Sequence, residues 1–481
     1  MEKLIKYFVP EKYTLDLKID KKAKTIGGTV TAKGVAKAEN IKFHAVGLSI
    51  DQVTVNGKKA KFEVADGVLT VFKAPRSDLA VEIGYHGTLN ENMQGAYIST
   101  YEYGGKTEVI VATQFESHYA REAFPCIDEP GAKAVFELTI TTTDDKDLIL
   151  ANTPVLDKKD NKTIFEPTPR MSTYLLAWVI GRFHGKTIKN AHGVEITTYA
   201  TLAQDLGAVD FANEIAAKSL EFYDDNFGVP YPLKKLDQVA LPDFEAGAME
   251  NWGLVTYRES MLLAGKNATL GTKKGVALTV AHELSHQWFG DLVTMEWWDD
   301  LWLNESFASV MEYYAVDYIH PEYKIFEGFF TGDCYVALMR DAYTDVQSVH
   351  QDVKDPAEIA TLFDGAIVYS KGARLMLMLI RLMGWEEFCK GIRDYFEKYK
   401  YQNTVGDDLW AALKPYAEFD PGKLMHAFID RPGYPVVTEG KQKRFLLDGP
   451  MPIETWPLPE ITEDMSGHYV LNLSEEEFKN K

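Results

Sequence analysis

The stretch His282-Glu283-Leu284-Ser285-His286, followed by Trp302-Leu303-Asn304-Glu305-Ser306-Phe307-Ala308, decides how the second half of the chain is read. On an α-helix, four residues advance about 6 Å along the axis and leave two side chains about 40° apart around it. The imidazoles of His282 and His286 can therefore reach one zinc ion. Glu283 falls on the adjoining flank, where its carboxylate can take a proton from water. A zinc ion that hydrolyses substrate takes three protein ligands and keeps one position open. Glu305, nineteen residues beyond His286, is the candidate for the third ligand. Such a pentapeptide also arises by chance, with both histidines on a solvated helix face. The surrounding pattern argues against that. Thr272 as a cap, Gly290 as a stop and the stripe Val276, Val280, Leu284 and Trp288 predict a helix with one buried face. His282, Glu283, His286 and Thr279 lie opposite the stripe, facing a cleft.

A chain of 481 residues is too long for one core and implies two or three domains. Its composition, 46% hydrophobic and 25% charged, implies folded structure without a long disordered arm. A net charge of −20 argues against nucleic acid and against an anionic membrane surface, and it suits a cationic substrate such as a peptide amine. Cys126, Cys334 and Cys389 are odd in number, far apart and form no C-x-x-C pair, which places the protein by default in a reducing, cytoplasmic setting. The opening residues, Met1 to Tyr7, hold no signal-peptide core, and no apolar run approaches the length of a membrane span.

Residues 1–187 read as a β domain. Tyr13, Leu15, Leu17 and Ile19 alternate with polar neighbours, and Asn56-Gly57 and Asp66-Gly67 are hairpin signals. Further strands are expected at Val109–Ala112, Phe136–Thr141 and Leu148–Ala151, giving an antiparallel β-sandwich or saddle-shaped sheet. Between them lie Gln114-Phe115-Glu116 and Arg121 to Pro130, polar enough to suggest a loop with a task, although from spacing alone a purely structural ion-pair loop is the commoner explanation. Beyond Gly185, a strand near Val194–Tyr199 precedes a helix from Leu206 to Phe227. The segment Gly247-Ala248-Met249-Glu250-Asn251 follows, with small residues that let backbone approach a ligand. The remaining chain to residue 437 reads as helices: Asp300–Tyr318, Tyr323–Ala342, Ile359–Leu382, Trp385–Lys398, Val405–Leu413 and Pro421–Ala427.

Four blocks together resemble the aminopeptidase N family of zinc metallopeptidases, gluzincins with H-E-x-x-H and a distal glutamate. These are Gln114-Phe115-Glu116 with Phe124 to Pro130, then Gly247 to Asn251, His282 to Glu305, and Tyr369-Ser370-Lys371-Gly372. They stand in the family's order over about residues 10 to 437. The resemblance implies a multidomain α+β fold: an N-terminal β domain (1–187), a thermolysin-like, mainly helical catalytic domain (188–437) and a short β-type tail (438–481). It implies one zinc ion held by His282, His286 and Glu305, with Glu283 as general base. Tyr369 would stabilise the oxyanion, Glu250 and Glu116 would bind the substrate's free α-amine, and Gln114, Gly247, Ala248, Met249 and Asn251 would line the site. Peptides with a free N-terminal amine are the implied substrates, with no nucleic acid or membrane partner and an open oligomeric state. Ala246 and Met249 impose no charge, so aromatic, aliphatic and basic first residues all stay open.

Two alternatives share this fold. An epoxide hydrolase that also trims peptides usually carries Gly-Gly-Met-Glu-Asn where this chain has Ala248. A non-catalytic scaffold lacks ligands or base, all of which stand here. The chain departs from many members after Val437, where only strands resembling the start of a further β-sandwich are expected, including Gln442 to Leu446 and Trp456 to Pro459. Exposed apolar surface is expected where further domains would dock.

Overall fold

The alternation at Tyr13, Leu15, Leu17 and Ile19 forms the inward face of the strand Phe8–Asp20, with all four side chains buried. This strand lies near the centre of an eight-stranded sheet. Its order is Val155–Lys159, Lys162–Phe165, Val135–Thr142, Phe8–Asp20, Thr25–Ala36, Asp78–Thr88, Ser49–Val55 and Lys58–Lys59. Every neighbouring pair is antiparallel except Phe8–Asp20 with Val135–Thr142. The computed structural model describes residues 2–354, 356–438, 440–458, 460–463 and 469–472. It divides into two compact units, Met1–Glu221 with Tyr231–Gln287, and Phe222–Pro230 with Trp288–Lys481.

In the first unit, both hairpin signals are two-residue turns. Asn56 and Gly57 have φ of 50° and 75°, and Asp66 and Gly67 have 51° and 72°, the left-handed pair that matches the twist of adjoining strands. A four-stranded sheet orders Leu148–Ala151, Trp178–Gly181, Lys106–Gln114 and Gly95–Tyr103. Its strand Lys106–Gln114 delivers the chain directly to Phe115 and Glu116. In the polar loop beyond, Arg121 donates from Nε to Asp128 Oδ2 at 2.9 Å, with both side chains buried. Glu129 accepts from the Leu4 and Ile5 amides. For Arg121 and Asp128 the structural ion-pair reading holds, and Glu129 anchors the N-terminal backbone instead.

The same unit contains a five-stranded sheet ordered Phe183–Lys189, Glu195–Thr201, Lys235–Leu241, Leu254–Arg258 and Ala248–Met249. Only one of these strands was expected clearly. Leu236 to Leu241 are all buried, so no alternation marks that strand, as is usual for a parallel strand covered on both faces.

The second unit is helical. The helix Trp302–Ile319 buries almost its whole first half, from Trp302 to Met311. Phe289 stacks on Phe307 with ring centroids 4.7 Å apart, and Trp302 stacks on Trp410 at 5.2 Å. Two expected long helices are interrupted. Gly332 separates Ile325–Thr331 from Asp333–Arg340. The second stretch is broken into Pro356–Leu362, a π-helical turn Gly365–Lys371 and Gly372–Met383. The break occurs where the Asp364 carboxylate caps the Ala366 amide at 2.9 Å.

Helices Ile325–Thr331 and Asp333–Arg340 expose Phe330, Tyr335, Val336 and Met339. The tail pairs Pro435–Thr438 with Lys441–Arg444, and Glu460–Glu463 with Tyr469–Asn472. Buried Trp456 is held by paired hydrogen bonds with the Gln442 side chain. Pro459, expected in the same β tail, lies outside the described residues. No helix among the described residues is long and apolar enough to cross a membrane.

Candidate metal and substrate site

Gln114, Glu116, Gly247 to Asn251, His282, Glu283 and His286 fall in the first unit, and Glu305 and Tyr369 in the second. The histidines lie on the helix Leu270–Ser285, whose N-cap is Thr269 and not Thr272. The Thr269 hydroxyl accepts from the Thr272 amide, three residues on as capping geometry requires. The helix also ends earlier than Gly290, with His286 as C-cap. The expected stripe Val276, Val280, Leu284 and Trp288 is fully buried.

His282 Nε2 and His286 Nε2 stand 3.1 Å apart with rings at 77°. Two imidazole nitrogens on one tetrahedral zinc are separated by roughly 3.3 Å, so the pair fits a shared ion. Glu283, between them in sequence, is buried beside Tyr257. The Tyr257 phenol is pushed well above its ordinary pKa by burial and by the Glu283 charge. Its hydroxyl donates to Gln238 Oε1.

Ala248–Met249 forms the edge strand of the five-stranded sheet, antiparallel to Leu254–Arg258, and Glu250 follows it, 3% exposed. Carboxylate oxygens of Glu116 and Glu250 lie within 4.8 Å of one another. Gln114 Nε2 contacts Met249 Sδ at 3.4 Å, and its buried Oε1 has no hydrogen-bond partner among the described residues. Gly247 precedes this strand, and its carbonyl accepts from the Arg258 amide. Asn251 donates from Nδ2 to Thr256 Oγ1, which closes the turn after Glu250.

Four further residues hold this arrangement, and sequence reasoning gave none of them a role. Gln287 donates from Nε2 to Glu250 O at 3.1 Å and Glu283 O at 3.3 Å, and its Oε1 accepts from the Gly253 amide at 3.3 Å. Asn152 donates to Trp252 O and Leu175 O. At Gly253, φ is +79°, and a Cβ would lie 2.4 Å from Asn152 O, so only glycine fits. Lys235 Nζ, buried against Asp237, donates to Gly253 O at 2.8 Å.

In the second unit, Glu305 lies in the first turn of Trp302–Ile319, 3% exposed. The next residue, Ser306, donates from Oγ to Val368 O at 2.7 Å, one residue before Tyr369. Tyr369 sits in the π-helical turn Gly365–Lys371, a local widening frequent at functional sites. Gly372 packs directly on Ser306. Lys371, buried, forms an ion pair with Asp341 at 2.9 Å and donates to Gly433 O. Burial pulls the Lys371 ammonium below its ordinary pKa, with Asp341 opposing.

Two family profiles match the chain, the one described as Peptidase M1 N-terminal domain over residues 9–175 and the one described as Peptidase family M1 domain over residues 211–428. The chain belongs to peptidase family M1. It is 48% identical over 456 residues to an Aminopeptidase N of Lactococcus lactis subsp. lactis, an alignment covering 91% of this chain and 52% of that relative. An Aminopeptidase N of Lactobacillus delbrueckii subsp. lactis is 46% identical, with 89% and 52% covered. Tricorn protease-interacting factor F2 of Thermoplasma acidophilum is 38% identical, with 97% and 60% covered. The chain thus spans about half the length of the first of these relatives.

Proposed function

We propose that this chain is a zinc-dependent aminopeptidase that removes N-terminal residues from peptides. The observation that carries the reading is the pairing, within one compact unit, of imidazole nitrogens 3.1 Å apart with two carboxylates within 4.8 Å of each other. The first pair suits a metal ion, and the second suits an ammonium group.

In this reading His282, His286 and Glu305 hold one zinc ion per chain. Zinc, when bound, polarises the scissile carbonyl and makes a water more acidic. Glu283 takes a proton from water and returns it to the leaving nitrogen. The Tyr369 hydroxyl donates to the carbonyl oxygen as negative charge develops there. Glu116 and Glu250 hold the substrate ammonium, and Gln114 Oε1 offers a further acceptor beside them. Gly247 to Asn251 line the same edge. A substrate without the amine forgoes these charge-assisted contacts. The three-part division at residues 187 and 437, peptide substrates and a cytoplasmic setting belong to the same proposal.

The test is hydrolysis of matched aminoacyl amides with free and N-acetylated amines. Free amines are expected to be turned over at least 100-fold more efficiently. Equal turnover of both, or cleavage only of internal bonds, would refute the amine-anchoring role.

A further inference from the structure

Gln287 immediately follows His286 and is fully buried. Its own amide bonds to Leu284 O where the histidine helix ends, and its side chain reaches the Glu283 carbonyl and beyond. One amide nitrogen donates both to Glu283 O and to Glu250 O, while the amide oxygen accepts from Gly253 N. A primary amide offers two N–H donors and an acceptor in one plane, and here they meet three backbone groups. The backbone of the base residue and the backbone of the amine-anchoring residue are therefore tied through a single side chain.

We infer that Gln287 is a positioning residue that sets the spacing between the amine anchor at Glu250 and the hydrolytic end of the histidine helix. It thereby enforces removal of one residue at a time. The inference rests on the aminopeptidase reading. Gln287 does not touch the reacting atoms. It fixes the carbonyl of Glu250, whose side chain then projects from a defined point, and it does so from the end of the helix that bears His282 and His286. The turn Trp252–Gly253 is held on its other side by Asn152, which donates to Trp252 O, and by Lys235, which donates to Gly253 O. Loss of the Gln287 bonds frees only the side that faces the histidine helix.

The test compares wild type with Gln287→Met, which keeps the volume and removes all three hydrogen bonds, and with Gln287→Glu, which keeps the acceptor but loses the donors. Two readouts are taken: steady-state kinetics on free and N-acetylated aminoacyl amides, and calorimetric binding of leucinamide to protein without added metal. KM for the free amine is expected to rise at least tenfold in both variants, with a smaller change in kcat. Preference for free over capped amine should fall by a similar factor, and leucinamide binding should weaken about tenfold. A thermal melt checks folding, and Gln287→Glu carries the comparison if Gln287→Met does not fold. Wild-type values of KM and preference in a folded variant would overturn the inference while leaving the aminopeptidase reading intact. Wild type that neither binds leucinamide nor hydrolyses free amines would overturn both.

Discussion

A Cβ placed on Gly372 would lie 2.0 Å from Ser306 Oγ and 2.6 Å from Ser306 Cβ. That contact holds the turn bearing Tyr369 against the helix bearing Glu305, with the Ser306 hydroxyl bonded to Val368 O between them. Gly372→Ala is therefore expected to cost about 1–3 kcal/mol in urea unfolding, as overpacking does, and to impair turnover through Tyr369. Gly275→Ala is the contrasting change. Gly275 is mid-helix with nothing within 4 Å of a Cβ, so alanine should stabilise by about 0.5–1 kcal/mol. Equal effects at both positions would contradict the packing account. In the sequence, Gly372 was visible only as the end of Tyr-Ser-Lys-Gly, with no reason for its being glycine. The reason lies 66 positions earlier, at Ser306, and no local pattern connects the two. Lys371 is similar: its task is a buried ion pair with Asp341 that also gathers Gly433.

At the scale of elements, strongly periodic or well-punctuated segments were readable and close-packed ones were not. Phe8–Asp20 and both two-residue turns follow from alternation and from Asn-Gly and Asp-Gly. Leu236–Leu241 is buried at every position, Asp237 and Gln238 included, so no alternation of apolar and polar residues marks it, and the π-helical turn carries a helix-like pattern whose widened hydrogen bonding is invisible in residue types. One element junction makes a measurable prediction. Asp430, just beyond the helix Pro421–Ile429, accepts contacts from His350 Nδ1 at 3.1 Å and His426 Nδ1 at 2.8 Å. The Asp430 hydrogen bond raises the His350 pKa above its ordinary value, with Asp300 adding to it. For His426 burial acts downward, but Asp407 and Asp430 outweigh it and the pKa is raised. Asp430 itself is lowered, because the two histidines outweigh its burial. Raised histidines stabilise the fold below their unfolded pKa and lose that stabilisation as pH climbs through the folded value. A lowered aspartate stabilises above its unfolded pKa and loses it as pH falls. The stability margin of wild type over Asp430→Asn should therefore peak between about pH 4 and 6.5 and shrink on both sides. A margin independent of pH would show that the cluster contributes no charge interaction.

For the whole molecule, the sequence was most informative where chemistry constrains residue types: a histidine pair at helical spacing, a distal glutamate and two acidic residues in separate segments. Together with Tyr369 to Gly372 these residues carry the family resemblance, and the family profiles over residues 9–175 and 211–428 agree. What the sequence could not supply was the scaffolding between blocks, because Gln287, Asn152 and Ser306 act through backbone atoms of residues distant in the chain. The central claim is that hydrolysis depends on one zinc ion bound through His282, His286 and Glu305. It is tested most directly by stripping the protein of metal, adding zinc back in measured increments and following free-amine turnover against bound zinc per chain. The account predicts turnover that is absent at zero, rises linearly and levels at one zinc per chain, with no recovery in His282→Ala at the same increments. Turnover that survives complete stripping, or none in folded protein carrying one zinc per chain, would contradict it.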